Sequence, residues 1–148
     1  MKFMPKSTEI MTADQRRLVR DSFEALRPIA GPVVLLFYGK LFEVAPSVRP
    51  MFLNDITLQG RKLIDMLSAI VEALDDFESI RARLEELGRK HAGYGVRPEH
   101  YETLTSALLW TLAEALGADF DARTSEAWKI ALRAVNQTMK AGAYEPSP

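Results

Sequence analysis

Four side chains carry most of the chemical potential of this 148-residue sequence: His91, Tyr38, Gln59 and Phe52. Ile80, Leu84, Leu87 and His91 recur at intervals of four, three and four, which places them on one face of a helix. A histidine on such a stripe is either a core residue bonded to a neighbouring carbonyl or a metal or haem ligand. A neutral imidazole binds iron through one ring nitrogen while the other donates to a backbone carbonyl, and that second bond sets the tautomer and aims the ring. Leu87, one turn earlier, offers such a carbonyl, and the flanking Arg89 and Lys90 either meet ligand carboxylates or form a solvated face. Tyr38 shares a helical face with Val34, Leu41 and Phe42, so its ring is expected to be buried with a hydroxyl that needs a partner. Gln59 lies one turn before Leu63, as a surface residue or as an amide donor. If Tyr38 and Gln59 converge on an apolar cavity, they suit a small polarised ligand such as dioxygen. Phe52 either staples its turn to the core or paves one wall of a flat aromatic cofactor.

The elements that must position these residues read as helices, with Pro or Gly at most of the breaks. Thr12 with Gln15 three residues on forms a capping-box pattern ahead of Leu18, Phe23 and Leu26, and Pro28 ends that helix. Pro32 suits the first turn of a second helix reaching Val44. Pro46 and Pro50 then force a tight passage to Met51 and Phe52. A segment from Ile56 to Leu74 carries Leu63, Met66, Leu67, Ile70, Val71 and Leu74 on one face, closed by Asp75 and Asp76. The His91 helix ends at Gly93 and Gly95. Pro98 opens a helix with Tyr101, Leu104, Leu108 and Leu112 inward, stopped by Gly117, and a last helix from Asp121 to Lys140 turns Trp128, Leu132, Val135 and Met139 to the core. Leu53 to Leu58 reads as a short loop or as the start of the Gln59 helix. His100, in the Pro-Glu-His-Tyr start of its helix, is expected at the surface.

Composition narrows the chemistry. The chain has no cysteine and only two histidines, His91 and His100, so disulfides, thiolate catalysis, cysteine-bound zinc, iron-sulfur clusters and an all-histidine metal site are excluded. A net charge of -1 with no basic stripe argues against nucleic acid. The longest apolar stretch, Val33 to Phe42, is too short to cross a bilayer, so a soluble, cytoplasmic protein without membrane association is expected. At this length one domain spanning 1–148 is expected, with 1–10 a flexible extension and 141–148 a flexible tail.

At this point the residues become specific. LLFYGKLFEVAPSVRPMF, LGRKHAGYGVRPEHY and the tryptophan of EAWKIALRAV together resemble the globin family from about Glu9 to Met139, most closely bacterial single-domain globins, the haem domain of flavohaemoglobins, and neuroglobins. The resemblance implies an all-α globin fold of about seven to eight helices around a pocket for haem b, iron protoporphyrin IX. It puts His91 at the proximal iron ligand, Phe52 at the haem-stacking phenylalanine, Tyr38 at the distal aromatic position and Gln59 at the distal ligand-contacting position. It also puts Leu63 beside the bound gas, Lys62 near a haem propionate, and Leu87, Val96 and Tyr101 against the cofactor. The Tyr/Gln/Leu combination is similar to that of flavohaemoglobins and differs from the distal histidine of neuroglobins, which implies a five-coordinate or water-bound resting iron. Tyr101 matches a proximal tyrosine that in flavohaemoglobins bonds a glutamate, but Ala143 stands at the glutamate's place, with Glu145 nearby.

The implied ligands are dioxygen, carbon monoxide and nitric oxide. The implied function is oxygen binding with slow release, as store, carrier or scavenger; the alternatives are nitric oxide dioxygenation with electrons from a separate reductase, for which 148 residues leave no room, or redox or gas sensing. A monomer or weak homodimer is expected.

Overall fold

The computed structural model describes residues 11–52 and 56–144, and among them every regular element is helical. Residues 1–10, 53–55 and 145–148, and with them the expected terminal extension, most of the tail, Glu145 and the centre of the Leu53 to Leu58 passage, lie outside the described residues. Six α-helices are present: α1 (Ala13–Leu26), α2 (Ala30–Val44), α3 (Ile56–Glu72), α4 (Arg81–Gly93), α5 (Pro98–Leu116) and α6 (Ala122–Tyr144). Short 3-10 turns fill the connections at Arg27–Ile29, Pro46–Met51, Phe77–Ile80 and Gly117–Asp119.

Local chemistry explains the ends. The Thr12 side chain accepts from the Gln15 amide at 3.0 Å while the Gln15 side chain accepts from the Thr12 amide at 2.9 Å, so two of the unpaired donors at the start of α1 are satisfied. Pro46 and Pro50 hold their segment in a 3-10 turn. Asp75, just beyond α3, bonds Arg16 at 2.9 Å and Arg20 at 2.7 Å and so ties that end to α1. In α1 it is Val19, beside Phe23 and Leu26, that is buried, and Leu18 is half-buried.

The last helix runs one turn past the expected end at Lys140, to Tyr144. The extension has a tertiary cause: the Tyr144 hydroxyl donates to the Val96 carbonyl at the α4–α5 corner. Expected inward positions Trp128, Leu132, Val135 and Met139 are all buried, and the Trp128 indole N–H reaches Ser22 Oγ at 2.8 Å.

Three glycines set how closely the helices approach. A Cβ at Gly88 would stand 2.0 Å from the Met139 carbonyl oxygen, and one at Gly142 would stand 2.6 Å from the Glu85 Cα, so α4 and α6 lie backbone to backbone. At Gly60 an added Cβ would stand 2.2 Å from Val34 Cγ1, which brings α3 down onto α2. The first approach holds the helix of His91; the second packs the helix of Gln59 and Leu63 onto the helix of Tyr38.

Gly88→Ala is therefore expected to destabilise the fold by about 2–3 kcal/mol, because the neighbour is backbone and cannot rotate away. Gly39→Ala, whose Cβ would meet nothing within 4 Å, is expected to stabilise α2 by about 0.5–1 kcal/mol. Denaturant unfolding of both variants checks this; a similar change for both would contradict the close α4–α6 approach.

Candidate functional site

His91 sits in the last turn of α4, half-buried, with Nδ1 2.9 Å from the Leu87 carbonyl oxygen. A carbonyl only accepts, so Nδ1 carries the proton and the neutral ring presents its lone pair at Nε2. Burial lowers the pKa of His91 below the ordinary histidine value, against a smaller opposing effect of the Leu87 bond. Both features favour a neutral imidazole with one free ligating nitrogen.

The residues after His91 form its platform. The His91 carbonyl accepts from the amides of Tyr94 and Val96, each at 3.0 Å, and Gly95 takes a φ of 96°, a left-handed conformation open to glycine at no steric cost. Val96, half-buried, is thus bonded to His91 through its amide and to Tyr144 through its carbonyl. Tyr101 is buried in the same cluster as Leu84 and Met139, with Leu87 and Val96 packed against it. Its hydroxyl has no hydrogen-bond partner among the described residues. The Tyr144 ring meets the Tyr101 ring edge-on at 6.5 Å, and its hydroxyl donates its proton to the Val96 carbonyl. Burial, with a smaller contribution from Tyr144, pushes the Tyr101 phenol up to about 12.

The other side is aromatic. Tyr38 is buried on α2, its ring 5.1 Å from Phe37, 5.3 Å from Phe52 and 5.8 Å from Phe42, measured between centroids. Its hydroxyl makes no hydrogen bond among the described residues, and burial pushes its pKa up to about 12. Phe52 packs edge-on against Tyr38 and Phe42, which staples its turn to the core cluster. Gln59 and Leu63 are half-buried on α3, and Lys62 between them is exposed.

A cavity of about 600 Å³ opens between the Pro46–Met51 turn and the α4–α5 corner, lined by Ser47, Met51, Ala92, Val96, His100 and Tyr144 among others. Of the residues expected at the cofactor, Val96 lines it directly; Met51 and Ala92, its other walls, are the chain neighbours of Phe52 and His91. His100, expected at the surface, is half-buried there: its Nδ1 accepts from the Arg97 amide at 2.9 Å, folding the ring back over the start of α5. Sequence reasoning missed Met51, Ala92, His100 and Tyr144. A proline-bracketed turn before Met51 and a tyrosine one helical turn beyond Lys140 are the signals that pointed there.

These residues fit a flat, largely apolar cofactor with a central metal. One imidazole nitrogen is available on a fixed ring, Phe52 belongs to an aromatic cluster, and a cavity of cofactor-pocket size is lined by Met51 and Ala92, the chain neighbours of Phe52 and His91. Half-buried Ala143 has no polar side chain to offer the Tyr101 hydroxyl, and Glu145 lies outside the described residues.

A globin family model matches residues 35–139. Neuroglobin of Tetraodon nigroviridis is 27% identical over 152 aligned residues, covering 90% of this chain and 93% of that protein. Anaerobic nitrite reductase HBII of Casuarina glauca is 29% identical, with 79% of this chain and 82% of that protein aligned. A flavohemoprotein of Vibrio cholerae is 23% identical over 82% of this chain, but this chain spans only 32% of its length. The match takes in the helices that carry Tyr38, Gln59, His91 and Tyr101, and the chain belongs to the globin family, whose members bind small gaseous ligands through haem.

Proposed function

We propose that this globin binds dioxygen at a haem b held by His91 and releases it slowly, as an oxygen store, carrier or scavenger. The observation that carries this reading is Tyr38: a buried ring in the aromatic cluster whose hydroxyl makes no hydrogen bond among the described residues and whose phenol stays protonated far above neutral pH. The bound haem supplies reversible coordination of a diatomic gas. His91 Nε2 supplies the lone pair for the metal, and the Leu87 carbonyl keeps that ring from turning. Phe52 and Val96 would pack a bound haem, Leu87 and Tyr101 would support the histidine, and exposed Lys62 on α3 would be available to a propionate.

Tyr38 and Gln59 then act as donors to a ligand that carries partial negative charge. A dry, aromatic surround strengthens such bonds, because no water competes for the acceptor. If each contributes about 1.5 kcal/mol, the pair tightens oxygen binding on the order of 100-fold. Carbon monoxide, a poorer acceptor, gains less, which makes the pocket selective for dioxygen.

Nitric oxide dioxygenation, with a separate reductase returning the iron to the ferrous state, uses the same two donors. The similarity to a flavohemoprotein supports it as a second reading.

Tyr38→Phe is expected to speed oxygen dissociation about tenfold while changing carbon monoxide release much less, as stopped-flow displacement would show. An unchanged oxygen rate would mean that the hydroxyl does not meet the ligand. Ionisation offers a separate check. The Tyr38 phenol is favoured in its neutral form by the fold, so its contribution to stability is full below pH 10 and is lost as pH rises from 10 toward about 12. Unfolding measured across that interval is expected to show less alkaline loss in Tyr38→Phe than in the parent chain. Nitric oxide consumption with a supplied reductase, set against the oxygen dissociation rate, separates the two functions: turnover slower than simple oxygen loss supports the carrier, and sustained rapid turnover supports the enzyme.

A further inference from the structure

We propose that the α4–α5 corner anchors one carboxylate of the haem, through the Arg97 guanidinium and the His100 Nε2–H that line the cavity beside it. The inference rests on the haem reading above and adds to it a pair of residues where the resemblance points to Lys62 alone. Protoporphyrin IX carries two carboxylates. Lys62 is a single ammonium on α3 and is not among the residues of the cavity, so a second carboxylate needs a partner from elsewhere.

The cavity has two kinds of wall. Met51, Ala92 and Val96 are apolar and half-buried, whereas Ser47 and Arg97 are polar and exposed. A Cβ at Gly95 would stand 3.9 Å from Met51 Cε, so the Pro46–Met51 turn and the corner meet on that side. A space of this kind takes an apolar body inward and keeps an ionised end at its rim, because a carboxylate withdrawn from water without partners is costly.

The bond that His100 makes fixes what it offers. Its Nδ1 accepts from the Arg97 amide at 2.9 Å, so the proton of the neutral ring sits on Nε2. Among the described residues no acceptor takes that second nitrogen. The Arg97 side chain is 72% exposed, with Nε 3.2 Å from a Glu99 carboxylate oxygen. An exposed pair of this kind is worth little and is screened by salt. A guanidinium has five donors in a fixed fork, so Arg97 can meet a second carboxylate while Glu99 stays beside it. The Ser47 hydroxyl, on the facing turn, is a further donor to the same space.

Placement on the chain gives the anchor its use. The His91 carbonyl accepts from the Val96 amide at 3.0 Å, and Arg97 follows directly. Residues 91–100 thus carry both the metal ligand and the carboxylate anchor on one hydrogen-bonded corner, which limits how far a bound cofactor can turn about its iron bond.

The test uses the loaded protein with two cofactors, haemin and its dimethyl ester, which has no ionised carboxylate. Release to excess serum albumin is followed by absorbance. Haemin is expected to leave Arg97→Gln about tenfold faster than the parent chain, the loss of one charge-assisted hydrogen bond. His100→Glu keeps an acceptor for the Arg97 amide and sets a negative charge at the rim, so haemin is expected to leave it at least as fast. Neither substitution is expected to change release of the ester, and helix content by circular dichroism is expected to stay constant. Both variants are expected to keep the histidine-ligated spectrum, which separates this proposal from the haem reading itself: that reading fails only if the parent chain takes up no haemin. Equal acceleration for haemin and ester, as a loss of packing alone would give, or unchanged haemin release in both variants would overturn the proposal. So would saturable binding of benzoate to the haem-loaded parent that Arg97→Gln abolishes, since the rim would then be open to a free acid with the cofactor in place.

Discussion

A backbone carbonyl can accept a hydrogen bond and cannot give one, and the orientation of His91 rests on that restriction. The 2.9 Å bond to Leu87 assigns the proton to Nδ1 and leaves Nε2 bare. Burial then keeps the ring neutral. Every other feature of the proximal side holds the helix that makes this bond. Gly88 and Gly142 let α4 lie directly on the backbone of α6, and Tyr144 at the end of α6 reaches the Val96 carbonyl while the Val96 amide returns to His91. The ring is fixed by one bond to its own helix, and the helix is fixed by packing to another.

The opposite side is arranged by the same means. Gly60 brings α3 onto Val34 of α2, which places half-buried Gln59 and Leu63 on the helix packed against the one that carries Tyr38. Tyr38 is surrounded by three phenylalanine rings and keeps a free hydroxyl. A buried donor without a partner costs stability, on the order of 1–3 kcal/mol, and such groups persist where function uses them. The Tyr101 hydroxyl is such a donor: it is fully buried, and nothing among the described residues satisfies it.

Much of this was legible from local sequence. Proline and glycine punctuation and the Thr12/Gln15 capping box gave helix ends within a residue or two, because each acts through its own backbone. The four-three-four spacing put His91 on the stripe that Leu84 buries. What could not be read depended on distant partners. The extra turn of α6 follows from a bond between Tyr144 and Val96, 48 residues apart. Gly88, Gly60 and Gly142 read as helix weaknesses in isolation and become requirements only when the facing backbone is known. His100 looked like a surface residue because its capping bond to Arg97 folds it back, which spacing alone does not reveal.

The central claim is that His91 Nε2 is the protein's ligand to the haem iron. The most direct test is the absorption spectrum of the reduced, haem-loaded His91→Gly variant with and without added imidazole. The histidine-ligated spectrum of the parent chain is expected to be lost in the variant and regained when imidazole enters the space left by the ring. A variant whose spectrum matches the parent without imidazole would show that another group binds the iron.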